Sequence, residues 1–140
     1  MSAEAGRVLA IDYGKKRVGL AISDELRITA NGLPTMDNKP GLVRSLAKIV
    51  AEREVRHIII GMPYLASGDE GNLAADIRAF GDALEKHTGL QVEYVDESRS
   101  SIEAADTLRE IGVGKNKRNK KRGKVDELSA VILLQEYIRD

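Results

Sequence analysis

The stretch Val8–Asp24, VLAIDYGKKRVGLAISD, decides how this chain is read. Val8 to Ile11 form an apolar run without alternation, the pattern of a strand covered on both faces, and the run ends in an acid, Asp12. From Val18 the periodicity changes: Val18, Leu20 and Ile22 alternate with Gly19, Ala21 and Ser23, so period two assigns a second strand. The connection through Tyr13, Gly14, Lys15 and Lys16 is too short for a parallel crossover, so the two strands form an antiparallel hairpin. Asp12 thus leaves a buried strand beside a turn carrying Lys15 and Lys16, with Arg17 opening the return strand.

Outward from the hairpin, LRITANGLP (26–34) adds a third strand that stops at the turn residues Asn31, Gly32 and Pro34. Asn38 with Pro40 marks a helix start, and Leu42, Leu46, Ile49 and Val50 recur at helical spacing to about Glu54. RHIIIGMP (56–63) holds another fully apolar strand, Ile58 to Ile60, ending at Gly61 and Pro63. Leu73, Ile77, Phe80 and Leu84 mark one face of a second helix, stopped near Gly89. QVEYVDE (91–97) is a strand, and Ser100 with Glu103 has the spacing of a capping box opening a third helix toward Ile111. Residues 112–124, GVGKNKRNKKRGK, read as a mobile loop, and VDELSAVILLQEYIRD (125–140) as the closing helix. Strands separated by helices imply parallel crossovers, so the expectation is a mixed five-stranded α/β sheet with helices on both faces, in the ribonuclease H-like order.

The 140 residues fit one domain, spanning 1–140, large enough to bury roughly two thirds of its unfolded surface. With no cysteine there is no disulfide, thiolate nucleophile or thiolate metal site. The N-terminus lacks the features of a signal peptide and no apolar run approaches the ~20 residues of a membrane span, so a cytoplasmic chain is expected. The net charge is zero, 22 basic against 22 acidic, but residues 115–124 hold seven cations and no acid. Without these seven the balance is 15 against 22, or −7, so positive charge is concentrated in one short segment.

Three acids stand where such a sheet brings chain ends together: Asp12 after the first strand, Glu97 after the last, and Asp126 at the start of the final helix. Asp126 lines up with Ala130, Leu133 and Tyr137, a row that shares the helix's apolar face. A carboxylate there is costly unless a cation meets it, and Mg²⁺ or Mn²⁺ favours carboxylate and water oxygens. Two such ions, roughly 3.5–4 Å apart, suit phosphodiester hydrolysis. Each acid alone has an ordinary reading: Asp12 as a turn acid, Asp126 as a first-turn or capping acid, Glu97 as a solvated strand end. Lys115, Lys117, Arg118, Lys120, Lys121, Arg122 and Lys124 are either a solvated surface or a phosphate-contacting flap beside Asp126. His57 and His87 are read as structural, and Ser98, Ser100 and Ser101 as capping residues, since no histidine stands in sequence to activate a serine.

In four segments, IDYGKKRVGLAISD (11–24), IIIGMPYLASGDEG (58–71), YVDES (94–98) and VDELSAVILLQEYI (125–138), the chain closely resembles the YqgF family. That family is described as pre-16S ribosomal RNA nucleases and as Holliday junction resolvases with a ribonuclease H-like fold. The resemblance implies that Asp12, Glu97 and Asp126 are catalytic and bind the metals, and that the substrate is a ribosomal precursor RNA or a branched DNA. The family commonly has an arginine after its Asp-Glu pair; here the run is DESRSS, with Ser98 in that place and Arg99 next to it. Lys15, Lys16 and Arg17 would hold the nucleic-acid backbone, although Arg17 also suits a structural role.

Two other functions fit parts of the pattern. An ATP-using domain is one, because DYG before a glycine-containing strand resembles the phosphate turn of actin-like and sugar kinases; those need a second, similar domain that 140 residues cannot hold. A non-catalytic RNA-binding module is the other. A junction enzyme needs two active sites and hence a homodimer, whereas a monomer suffices for RNA trimming.

Overall fold

The computed structural model describes residues 6–62, 71–96 and 118–139. Five strands, β1 (Arg7–Tyr13), β2 (Arg17–Ser23), β3 (Ala30–Asp37), β4 (Val55–Met62) and β5 (Val92–Asp96), form one sheet in the order β3-β2-β1-β4-β5. β2 runs antiparallel to both β1 and β3, while β1, β4 and β5 are parallel. The helices are α1 (Leu42–Glu52), α2 (Gly71–Thr88) and α3 (Arg118–Arg139). The expected third helix near 100–111 lies outside the described residues.

Strand alternation divides the core into two unequal layers. Leu9 and Ile11 of β1, with Val18, Leu20 and Ile22 of β2 and Ile58, Ile60 and Met62 of β4, pack under α1 and α2 through Leu42, Leu46, Ile77 and Leu84. On the opposite face Val8, Ala10, Ala21 and Ile59 meet Ala130, Leu133 and Leu134 of α3. Helices therefore cover both faces, and the central strands read as unbroken apolar runs because each successive side chain is buried on one face or the other. Buried Ser23 locks the hairpin's far end by accepting the Val8 N–H at 2.9 Å.

Several boundaries differ from expectation. β3 runs from Ala30 to Asp37, so Asn31, Gly32 and Pro34 lie within the strand rather than ending it. The turn falls earlier, at Asp24, whose Oδ1 accepts the N–H groups of Ile28 (2.7 Å) and Thr29 (2.9 Å). Pro34 is tolerated because β3 is an edge strand with an irregular register. Val18 pairs with Met36 but Leu20 with Leu33, so Pro34 and Thr35 together stand opposite Gly19 in a β-bulge.

α1 begins at Leu42, with Gly41 at the N-cap (φ 95°) and no side-chain cap, so Asn38 does not open it. The cationic segment is not a loop throughout, because Arg118 to Lys124 form the first turns of α3. Lysine and arginine are good helix formers, and the single Gly123 costs only about 1 kcal/mol against alanine. Among the described residues no helix is long and apolar enough to cross a membrane.

Candidate nuclease site and family

Asp12 lies inside β1, not after it, and Tyr13 completes the strand. The even positions Val8 and Ala10 face α3, so Asp12, two residues on, stands on the same face. Its carboxylate is half-buried at the end of an otherwise closed strand. Its cross-strand neighbour is Gly19, which has no side chain. Next to it Tyr13 faces the other way and packs on Phe80 of α2, ring centroids 5.0 Å apart. The ladder with β2 continues to the Tyr13–Val18 pair, so the backbone of Asp12 is set by the sheet.

Asp126 lies on α3, one helical turn or about 6 Å along the axis from Ala130. Ala130 is buried in the cluster that also contains Ala10, two residues before Asp12 on β1. Asp12 thus follows Ala10 on its face of β1, and Asp126 precedes Ala130 on α3, with both alanines in one buried cluster. Glu97 directly follows β5 in sequence and lies outside the described residues, as do Arg99, Lys115 and Lys117. Of the three acids, only Asp12 has a described side chain. A half-buried carboxylate on a rigid strand fits a hard divalent cation, which takes oxygen donors and few protein ligands.

Beyond Tyr13 the chain turns through Gly14, Lys15 and Lys16, with both lysines exposed. Gly14 is required by close approach: a Cβ built there would lie 2.5 Å from the Arg17 carbonyl oxygen. Asn38, which sequence reasoning assigned to the helix start, closes this turn instead. Its backbone N–H donates to the Lys16 carbonyl at 2.8 Å, and its Nδ2 donates to the Gly14 carbonyl at 2.7 Å. Nothing local in the sequence marks that bond, since the partner lies 24 residues earlier. Arg17 is half-buried in β2 with Asp37 as its cross-strand partner, an opposite-charge pairing that suits a structural role.

Along α3, Arg118, Arg122, Asp126 and Ala130 follow at four-residue intervals, a register that Lys120 and Lys124 do not share. At the far end of α3 the Tyr137 hydroxyl donates to Glu93 Oε1 at 3.0 Å. That same oxygen lies 3.0 Å from His57 Nε2, and the His57 ring stacks on Tyr137 with centroids 5.7 Å apart. His87 Nδ1 donates to the Ala83 carbonyl within α2 at 3.0 Å. Both histidines thus make structural contacts.

Among curated proteins, the chain is 40% identical over 139 residues to a protein of Koribacter versatilis named "Putative pre-16S rRNA nuclease", covering 98% of this chain and 89% of that one. A protein of the same name from Bacteroides thetaiotaomicron is 41% identical over 133 residues, covering 94% and 95%. Among solved structures, T. thermophilus RuvC in complex with a Holliday junction substrate superposes with a TM-score of 0.55 at 14% identity, over 96% of this chain and 95% of that one. The Fowlpox virus resolvase in complex with its Holliday junction substrate does so with 0.54 at 15% identity, over 95% and 97%. These two likenesses carry the fold, which is ribonuclease H-like. The model of the RuvX family, described as Holliday junction resolvase, matches residues 6–140, and with relatives at this identity over nearly the whole length the chain belongs to that family.

Proposed function

We propose that this protein is a metal-dependent endonuclease that hydrolyses phosphodiester bonds, acting on precursor 16S ribosomal RNA near its 5′ end. The observation that carries the reading is the placement of Asp12: an acid at the end of a closed strand, on the face covered by the helix that bears Asp126. An acid placed only to end a strand has no reason to share that face. Membership of a nuclease family and the names of its relatives support the same activity.

Asp12, Glu97 and Asp126 would hold two Mg²⁺ or Mn²⁺ ions. Such ions, when bound, supply Lewis acidity toward the phosphoryl oxygens and a nucleophilic hydroxide at neutral pH. The chain's own part is positional. β1 fixes the Asp12 carboxylate at the end of the sheet. Lys15 and Lys16, exposed on the turn after Asp12, contact backbone phosphates without reading bases. Lys115, Lys117, Arg118, Lys120, Lys121, Arg122, Lys124 and Arg99 would extend that contact.

Branched DNA is the second substrate reading, favoured by the description of the family as a Holliday junction resolvase. One experiment separates these readings and the non-catalytic alternative. Purified protein is given a precursor 16S RNA fragment and a four-way DNA junction, each with and without Mg²⁺ or Mn²⁺. The proposal requires cleavage of the RNA that appears only with metal. Cleavage of the junction alone moves the substrate to DNA, and binding without cleavage of either leaves a non-catalytic module.

A further inference from the structure

The turn that carries Lys15 and Lys16 differs from the acid beside it in how it is held. Asp12 is inside the β1–β2 ladder, paired with Gly19, and its backbone position follows from the sheet. The ladder ends at Tyr13 and Val18, so Gly14, Lys15 and Lys16 project beyond it. Among the described residues two bonds tie this projection down from outside the hairpin, and both come from Asn38: the side-chain amide to the Gly14 carbonyl and the backbone N–H to the Lys16 carbonyl. Asn38 directly follows β3, which is itself displaced by the bulge at Pro34 and Thr35. A carbonyl only accepts, so the group facing Gly14 must be the amide nitrogen; an aspartate or an aliphatic residue of the same size lacks the donor.

We infer that Asn38 is a positioning residue of the nuclease, which acts through the Gly14–Lys16 turn to hold Lys15 and Lys16 where they meet the substrate phosphates. The inference rests on the proposed nucleic-acid reading of those lysines. Because the sheet, and not Asn38, places Asp12, loss of the amide weakens substrate capture while leaving the chemical step intact. A merely structural asparagine would change stability without separating these two quantities.

The test compares wild type, Asn38→Ala, Asn38→Leu, Lys15→Ala/Lys16→Ala, and the double lysine variant combined with Asn38→Ala. Asn38→Leu keeps nearly the size of asparagine and adds no charge. Cleavage of the precursor RNA fragment gives kcat and KM, fluorescence anisotropy of the same RNA without divalent metal gives Kd, and thermal melting reports folding. The expected result is that both Asn38 variants raise KM and Kd roughly five- to tenfold, the worth of one lost hydrogen bond, with kcat within about twofold of wild type. On the double lysine background, Asn38→Ala is expected to add no further loss. Unchanged KM and Kd in folded Asn38 variants, a fall in kcat with KM constant, or losses that multiply with those of the lysine variant would each overturn the inference. Absence of metal-dependent cleavage by the wild type overturns the nuclease reading instead, and the Kd comparison then decides the role of Asn38 by itself.

Discussion

Truncation of Leu134 to alanine tests whether the small core layer holds the helix that bears Asp126. Seven buried residues join α3 to the sheet, and three of them, Ala10, Ala21 and Ala130, are alanines. Leu134 is fully buried and, with Leu133, is a large buried side chain that α3 contributes to that layer, beside the partly buried Val131, Tyr137 and Ile138. Removing three carbons forfeits ~2.4 kcal/mol of transfer free energy. The cavity left behind adds to this, because alanine neighbours have no side-chain length with which to close it; leucine-to-alanine changes in well-packed cores cost about 3–5 kcal/mol. For a chain of this size that corresponds to a fall in melting temperature on the order of 10 °C. Urea unfolding followed by circular dichroism gives the loss directly. Amide exchange along α3 should quicken more than exchange in β1 and β4, because the larger layer under α1 and α2 is untouched. At a temperature where both proteins are folded, the Mg²⁺ concentration for half-maximal cleavage should rise, since Asp126 rides on the loosened helix. A loss below about 1 kcal/mol would mean that this cluster does not fasten α3, and the argument that it holds the helix of Asp126 against the face of Asp12 would go with it.

Asp12→Asn keeps the shape of the side chain and should lower cleavage by more than about a hundredfold while thermal melting stays near that of wild type; activity in the purified variant would remove Asp12 from the metal site. Alanine at Arg118 and Arg122 together should weaken RNA binding more than alanine at Lys120 and Lys124, with the slope of log Kd against log salt falling by about 0.7 per lost phosphate contact on single-stranded RNA; equal effects would show that the helical row toward Asp126 does not order the contacts. Gly81→Ala places a Cβ into the Tyr94 hydroxyl, so despite a helix-propensity gain of about 1 kcal/mol it should lower the melting temperature. Asp24 is held below its ordinary pKa chiefly by the backbone N–H of Thr29, with that of Ile28 adding to it. A depressed carboxylate contributes stability above its unfolded pKa and loses it as pH falls through the folded value. The melting difference between wild type and Asp24→Ala should therefore be present near pH 7 and shrink as pH falls below the ordinary carboxylate range.

The sequence made the centre of the sheet legible and its margin obscure, for one physical reason. Val8–Ile11 and Ile58–Ile60 are buried on alternate faces at every step, so their apolar runs signal strand directly. Ile77, Phe80 and Leu84 likewise bury one face of α2 and show helical spacing. β3 carries no such signal, since an edge strand needs partners on one side only and can hold Asn31, Gly32 and Pro34, which elsewhere make turns. The start of α3 carries a loop signal because a dense cluster of cations resembles a solvated loop, although each of them favours helix. Of the site, the acids were visible one at a time; that Asp12 shares a face with the helix of Asp126 depends on strand parity and on which helix covers which side.

The departures from local expectation are not scattered. Asp12 stands near the end of a buried strand, Gly19 stands opposite it, Pro34 and Thr35 bulge against Gly19, and Asn38 holds the turn after Tyr13 while α1 starts after Gly41 without a side-chain cap. Every one of these choices is unfavourable or neutral by local propensity, and all of them meet at one corner of the sheet. Stability alone would be served by a regular edge strand and a capped α1. A corner that spends regularity in four adjacent places, beside an acid and two exposed lysines, is better explained by the need to place those three side chains relative to one another than by any requirement of folding.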